Sequence, residues 1–92
     1  MKNIQLLQLL ESILGKGKST SGNNIAFFSP FVSHYKPKLE IDINTTRDGE
    51  NAWHCWISDK KGRSISSLFK QMGLPKTYFE QLNKIVEWIF TY

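Results

Sequence analysis

Apolar side chains at Ile4, Leu6, Leu7, Leu10, Ile13 and Leu14 recur every three or four residues, the spacing of an amphipathic helix over residues 2–14. Gly15 ends it. Residues 16–24 are built of Lys, Gly, Ser, Thr and Asn, which bury no apolar area, and predict an exposed loop. Residues 25–28 are short, apolar and aromatic. They stop at Ser29-Pro30, where proline removes a backbone donor, so they read as a strand entering a turn. Residues 38–44 alternate strictly, with Leu39, Ile41 and Ile43 on one face and Lys38, Glu40, Asp42 and Asn44 on the other. Residues 45–51, containing Arg47-Asp48-Gly49, predict a hairpin loop, and the tryptophan-rich residues 52–57 a third strand.

Residues 58–63 form a polar knuckle, after which Ser64 stands where an N-cap is expected before Ile65, Leu68, Phe69 and Met72 at helical spacing. Gly73 closes that helix. Pro75 is tolerated in the first turn of another, which Tyr78, Phe79, Leu82, Ile85, Val86, Ile89 and Phe90 continue. The order predicts an α+β fold: a small three-stranded antiparallel sheet flanked by an N-terminal helix and two C-terminal helices. With 92 residues it is expected to be one domain, residues 1–92.

Composition narrows the function classes. The apolar share of 40% and aromatic share of 13%, Trp53, Trp56 and Trp88 included, allow a core without disulfides. The single cysteine, Cys55, rules out an intramolecular disulfide and suits a reducing compartment. No stretch has the length and apolarity to cross a bilayer, and the expectation is an intracellular protein without a membrane partner. The net charge of +4 favours an acidic partner such as nucleic acid, with an ordinary soluble surface as the alternative.

Two runs carry a more specific reading. Phe27-Phe28-Ser29-Pro30-Phe31-Val32-Ser33-His34-Tyr35-Lys36-Pro37-Lys38-Leu39-Glu40 resembles the first zinc knuckle of phage-type DNA primases, a C-P-x-C or C-P-x-H motif followed by a lysine-proline strand entry. Trp53-His54-Cys55-Trp56-Ile57-Ser58-Asp59-Lys60-Lys61-Gly62-Arg63-Ser64 resembles the second, H-C-x-x-C followed by a glycine and a basic residue leading into a helix. One hairpin separates the halves, and the likeness covers residues 25–69. The resemblance to the N-terminal zinc-binding domain of these primases implies a zinc-ribbon fold and binding of single-stranded template DNA. It also implies catalysis on a separate domain, so that this chain is not itself an enzyme, and residence in the cytoplasm of a bacterial host.

The family's ligand positions fall on Ser29, Val32, Cys55 and Ser58, of which only Cys55 is a good zinc ligand. A structural zinc needs four Cys or His ligands and contributes on the order of 10 kcal/mol to the folding of small zinc domains. His54 neighbours Cys55 on a strand and projects from the opposite face. His34, two residues beyond Val32, is the better substitute, yet with Cys55 it makes only two ligands. The expectation is a fold without bound zinc, sustained by Phe27, Trp53, Trp56 and the helices.

Lys36 and Lys38 flank Pro37, and Lys60, Lys61 and Arg63 crowd the second knuckle; if the knuckles adjoin, these cations form one patch for phosphates. The start of the helix at Ser64 adds backbone donors. Trp53 and Trp56, three apart, are expected on opposite faces of their strand, one in the core and one outward, where with His34, Tyr35 or His54 nearby it would stack on bases. The competing readings are a solvated lysine-rich turn and tryptophans both covered by helices. Cys55 as a nucleophile has no orienting acid, Glu40 and Asp42 read as solvated, and Gly15-Lys16-Gly17-Lys18-Ser19-Thr20 is an incomplete phosphate loop with no preceding strand. The alternative function is a protein-interaction or structural module. In that case the apolar helix over residues 77–92 docks on a replication protein or a second copy through Trp88, Phe90 and Tyr92.

Overall fold

The structure is a computed structural model that describes residues 2–44 and 51–90, the side chains of 86–90 excepted. Its described elements run α1 (Ile4–Leu14), β1 (Lys18–Ser19), β2 (Asn24–Phe27), β3 (Leu39–Asp42), β4 (Trp53–Cys55), β5 (Lys61–Gly62), α2 (Ile65–Met72) and α3 (Lys76–Phe90). The fold is α+β, with three helices and one five-stranded antiparallel sheet in the order β1-β2-β3-β4-β5 among the described residues. The three expected strands are β2, β3 and β4. The sheet is larger than the alternation predicts because β1 and β5 are two-residue strands inside the polar loops, added by backbone pairing of Lys18 with Ala26 and of His54 with Lys61. Neither carries an apolar face, so no periodicity betrays them. Residues 45–50 of the expected hairpin lie outside the described residues.

One face of the sheet is the core. Ile25 stands opposite Ile41, Phe27 opposite Leu39, Leu39 opposite Cys55 and Ile41 opposite Trp53, and all of these are buried. Leu6, Leu9 and Leu10 of α1, Ile65, Leu68 and Phe69 of α2 and Leu82 of α3 cover them. Burial of this apolar area, at about 25 cal/mol per Å², is the main force holding the domain together.

Local signals start and stop the helices where the sequence places them. The Asn3 side chain accepts from the Leu6 amide at 3.1 Å and Ser64 Oγ from the Ser67 amide at 3.2 Å, each satisfying an orphan donor of a first turn. Gly73 ends α2 in the left-handed conformation, φ 69° and ψ 34°, with Leu74 N–H bonded back to Phe69 at 3.1 Å. At the β3–β4 connection the buried Asn51 donates through Nδ2 to the carbonyls of Asp42 at 2.8 Å and Asn44 at 2.7 Å.

Trp53 is a core residue, only 2% exposed. Its Nε1–H donates to Ser64 O at 3.0 Å and to Ser67 Oγ at 3.1 Å, which joins β4 to the start of α2. That junction requires Gly62: a Cβ there would stand 2.6 Å from Trp53 Nε1 and collide with Ser67 Oγ. No helix among the described residues is long and apolar enough to cross a membrane.

Candidate nucleic-acid interface

Two loops meet at one end of the sheet. The first leaves β2 at Phe28 and returns to β3 at Lys38. Within it Ser29 Oγ accepts from the amides of Phe31 at 3.1 Å and Val32 at 3.3 Å. The second is the tight turn after β4, in which Ser58 N–H points at Cys55 Sγ at 3.5 Å and Asp59 N–H donates to Cys55 O at 2.9 Å. The first loop thus turns two amides onto Ser29 Oγ, and the second turns the Ser58 and Ile57 amides toward Cys55 Sγ. Those two atoms touch: Cys55 Sγ donates to Ser29 Oγ at 3.2 Å.

Cys55 is fully buried. Burial acts to raise its thiol pKa, but hydrogen bonds with Ser29, with the Ser58 hydroxyl and with the Ser58 and Ile57 amides outweigh that and hold it below its ordinary value. Of the four positions matching the ligands of the resembled family, Ser29, Cys55 and Ser58 converge here. Val32 supplies no donor atom, and its amide bonds to Ser29. One thiol, two hydroxyls and an aliphatic group do not make a structural zinc site. Among the described residues no group of three His, Cys, Asp or Glu side chains is arranged to hold a metal ion. His34 is occupied locally, its Nδ1 accepting from Lys36 N–H at 3.1 Å and its ring stacked on Tyr35.

The two loops are held together at further points. Trp56 N–H donates to Lys38 O at 2.9 Å, and Lys60 Nζ lies 5.4 Å from the centre of the Phe31 ring. With the backbones tied, side chains that cannot enter the core are left outside. Trp56 is 60% exposed and Tyr35 79%, with Phe28 and Ile57 also exposed. Cations accompany them: Lys36 Nζ lies 5.5 Å from the Tyr35 centroid, Lys60 and Lys61 are exposed in the second turn and at the start of β5, and Lys38 is half-buried, while Arg63 is exposed beyond the end of β5. His54, half-buried on the outer face of β4, has its ring 4.1 Å from that of Trp56, and its Nε2 is 2.9 Å from Asp59 Oδ1. That hydrogen bond first, then the imidazole's charge, hold the Asp59 carboxyl below the usual range; slight desolvation opposes them and Lys61 adds to them. Asp59 itself has φ 60°, a left-handed conformation that aspartate tolerates better than most side chains.

Lys36, Lys38, His54, Trp56, Lys60 and Lys61 thus stand in or beside the two loops, whereas Arg63 lies past the pairing of Gly62 with Trp53, away from them. Two expected site residues are used otherwise. Trp53 faces the core and is closed to any base, because it lies on the buried side of β4 while Trp56 follows after the strand has ended. For the same reason Trp56, expected to help sustain the fold, is not in the core. The Ser64 hydroxyl is taken up in capping α2. Sequence reasoning underrated Tyr35, which Lys36 follows directly, and missed Phe31, whose ring meets Lys60 of the second loop only in space. The docking helix expected over residues 77–92 turns Tyr78, Phe79, Leu82 and Ile85 toward the core, while the side chains of Trp88, Phe90 and Tyr92 lie outside the described residues. Compared with models of protein families, with curated proteins and with solved structures, the chain matches none.

Proposed function

We propose that this domain binds single-stranded DNA through the end of the sheet where its two loops meet, and that it does so without zinc. The observation that carries the reading is an exposed aromatic on each of two joined loops, Tyr35 with Lys36 over its ring and Trp56 beside His54, with Lys60 and Lys61 exposed in and after the second turn. Aromatic faces stack on bases of any sequence and cations follow the phosphates, a combination suited to a single strand rather than to a groove of duplex DNA. The opposed loops support a ribbon like that of phage primase zinc domains. In this reading the contact of Cys55 with Ser29 takes the part that the metal has in that family.

The test is fluorescence anisotropy of a labelled oligothymidylate over a salt series, with a chelator present. Affinity is expected to fall steeply with salt. Lys60→Ala with Arg63→Ala is expected to flatten the slope by about 0.7 per lost phosphate contact. Trp56→Ala should weaken binding by roughly 1–3 kcal/mol at every salt concentration. Absence of binding at low salt, or binding only after zinc is added, overturns the proposal.

A further inference from the structure

Phe27 pairs with Leu39 and Leu39 with Cys55, all three buried on the inner face of the sheet. Side chains alternate along paired strands, so one residue further Phe28, Lys38 and Trp56 fall in line on the outer face. Trp56 N–H donates to Lys38 O at 2.9 Å, which carries the pairing of β3 with β4 to that position. Phe28 is 51% exposed and Trp56 60%, with Lys38 half-buried between them. The His54 ring, two residues before Trp56 on the same face, lies 4.1 Å from the Trp56 ring and supports it from one side. Two exposed rings therefore flank a lysine on the face turned away from the buried side chains of α1, α2 and α3.

The rows further along that face differ. Glu40 lies between Ala26 and His54, with Lys61 beyond, and Asp42 lies opposite Asn24 in the row after that. Carboxylates in those rows repel phosphate, whereas the row of Phe28, Lys38 and Trp56 holds a cation and no acid. A polyanion laid on this face is thus kept to the loop end and led across the strands, from β2 over β3 to β4. We propose that Phe28 is a second base-stacking platform and that the bound DNA crosses the sheet along Phe28, Lys38 and Trp56; this rests on the single-strand reading above. Neighbouring β-strands lie about 4.8 Å apart, which sets the two rings roughly 10 Å from each other, about three times the rise between stacked bases. The two bases they hold are consequently not stacked on one another, and the backbone between them passes Lys38, where the ammonium serves a phosphate. Each platform takes any base, because every base has a π-face.

The experiment measures anisotropy at low salt with a short oligothymidylate and with a strand of the same length that lacks every base, for the parent, Phe28→Leu and Phe28→Tyr. Leucine keeps apolar bulk without a ring, and tyrosine keeps the ring. Phe28→Leu is expected to bind oligothymidylate about tenfold more weakly, while Phe28→Tyr retains the parent's affinity. The baseless strand, held by phosphate contacts alone, should bind all three proteins equally. Unaltered binding of oligothymidylate by Phe28→Leu, a loss shared by Phe28→Tyr, or an equal loss on the baseless strand overturns this inference and leaves the single-strand reading standing. Failure of the parent to bind oligothymidylate overturns both.

Discussion

Trp53 and Trp56 are three residues apart and live in different worlds. Trp53 lies within β4, faces the helices, and has its indole N–H bonded twice at the start of α2. Trp56 follows the end of the strand, has its backbone tied to Lys38 and one side of its ring against His54, and leaves the rest of the ring in solvent. The inner face of the sheet is held by apolar packing, whereas the end where the loops meet is held by hydrogen bonds around Ser29 and Cys55. Side chains spent on packing are not free to bind, and side chains left out of packing contribute little to stability.

That contrast can be pressed from both sides. The largest effect is expected from giving the loop end a metal: Ser29→Cys, Val32→Cys and Ser58→Cys together with native Cys55 should bind one zinc, with a chelator-sensitive rise in Tm reflecting up to about 10 kcal/mol of metal affinity. Failure to take up zinc would show that the two loops do not face each other as ribbon knuckles do. Next, Trp53→Ala should destabilise by about 3–5 kcal/mol in denaturant titrations, while Trp56→Ala stays within about 0.5 kcal/mol of the parent and loses DNA affinity instead. Equal losses of stability would erase the distinction. Gly62→Ala, which presses a methyl against the Trp53 indole and Ser67, should lose about 1–3 kcal/mol.

The smallest effect concerns Asp59. A carboxylate whose folded pKa is lowered stabilises the fold above its unfolded pKa and loses that contribution as the pH falls through the folded one. Asp59→Asn should therefore flatten a decline in Tm that the parent shows as the pH drops below the ordinary carboxylate range. Tm followed against pH in both proteins measures it.

Much of this was legible in the residues. The alternation of Leu39, Ile41 and Ile43, the spacing of Leu6 and Leu10, and the caps at Ser64 and Gly73 all report local physics, and the elements they predict are present. The split of the two tryptophans was legible as a split, but not which one faces inward, because that depends on where β4 ends. The edge strands β1 and β5 were invisible, since two paired residues carry no period. The cross-strand neighbours on the outer face were invisible as well: Glu40 meets His54, and Asn24 meets Asp42, only through strand register.

Each strand of the sheet pairs only with its neighbours in sequence, β1 with β2 through to β4 with β5. Such a meander zips up from adjacent hairpins, so every loop that must close before pairing begins is local, the longest being residues 28–38. Loop-closure entropy is then a minor part of the folding barrier, and the domain should fold quickly for a protein with this much sheet. Helix α1 must close a long loop to reach Ile43, whose carbonyl accepts from Asn3 N–H, and a longer one to reach α3, so these contacts are expected to form last.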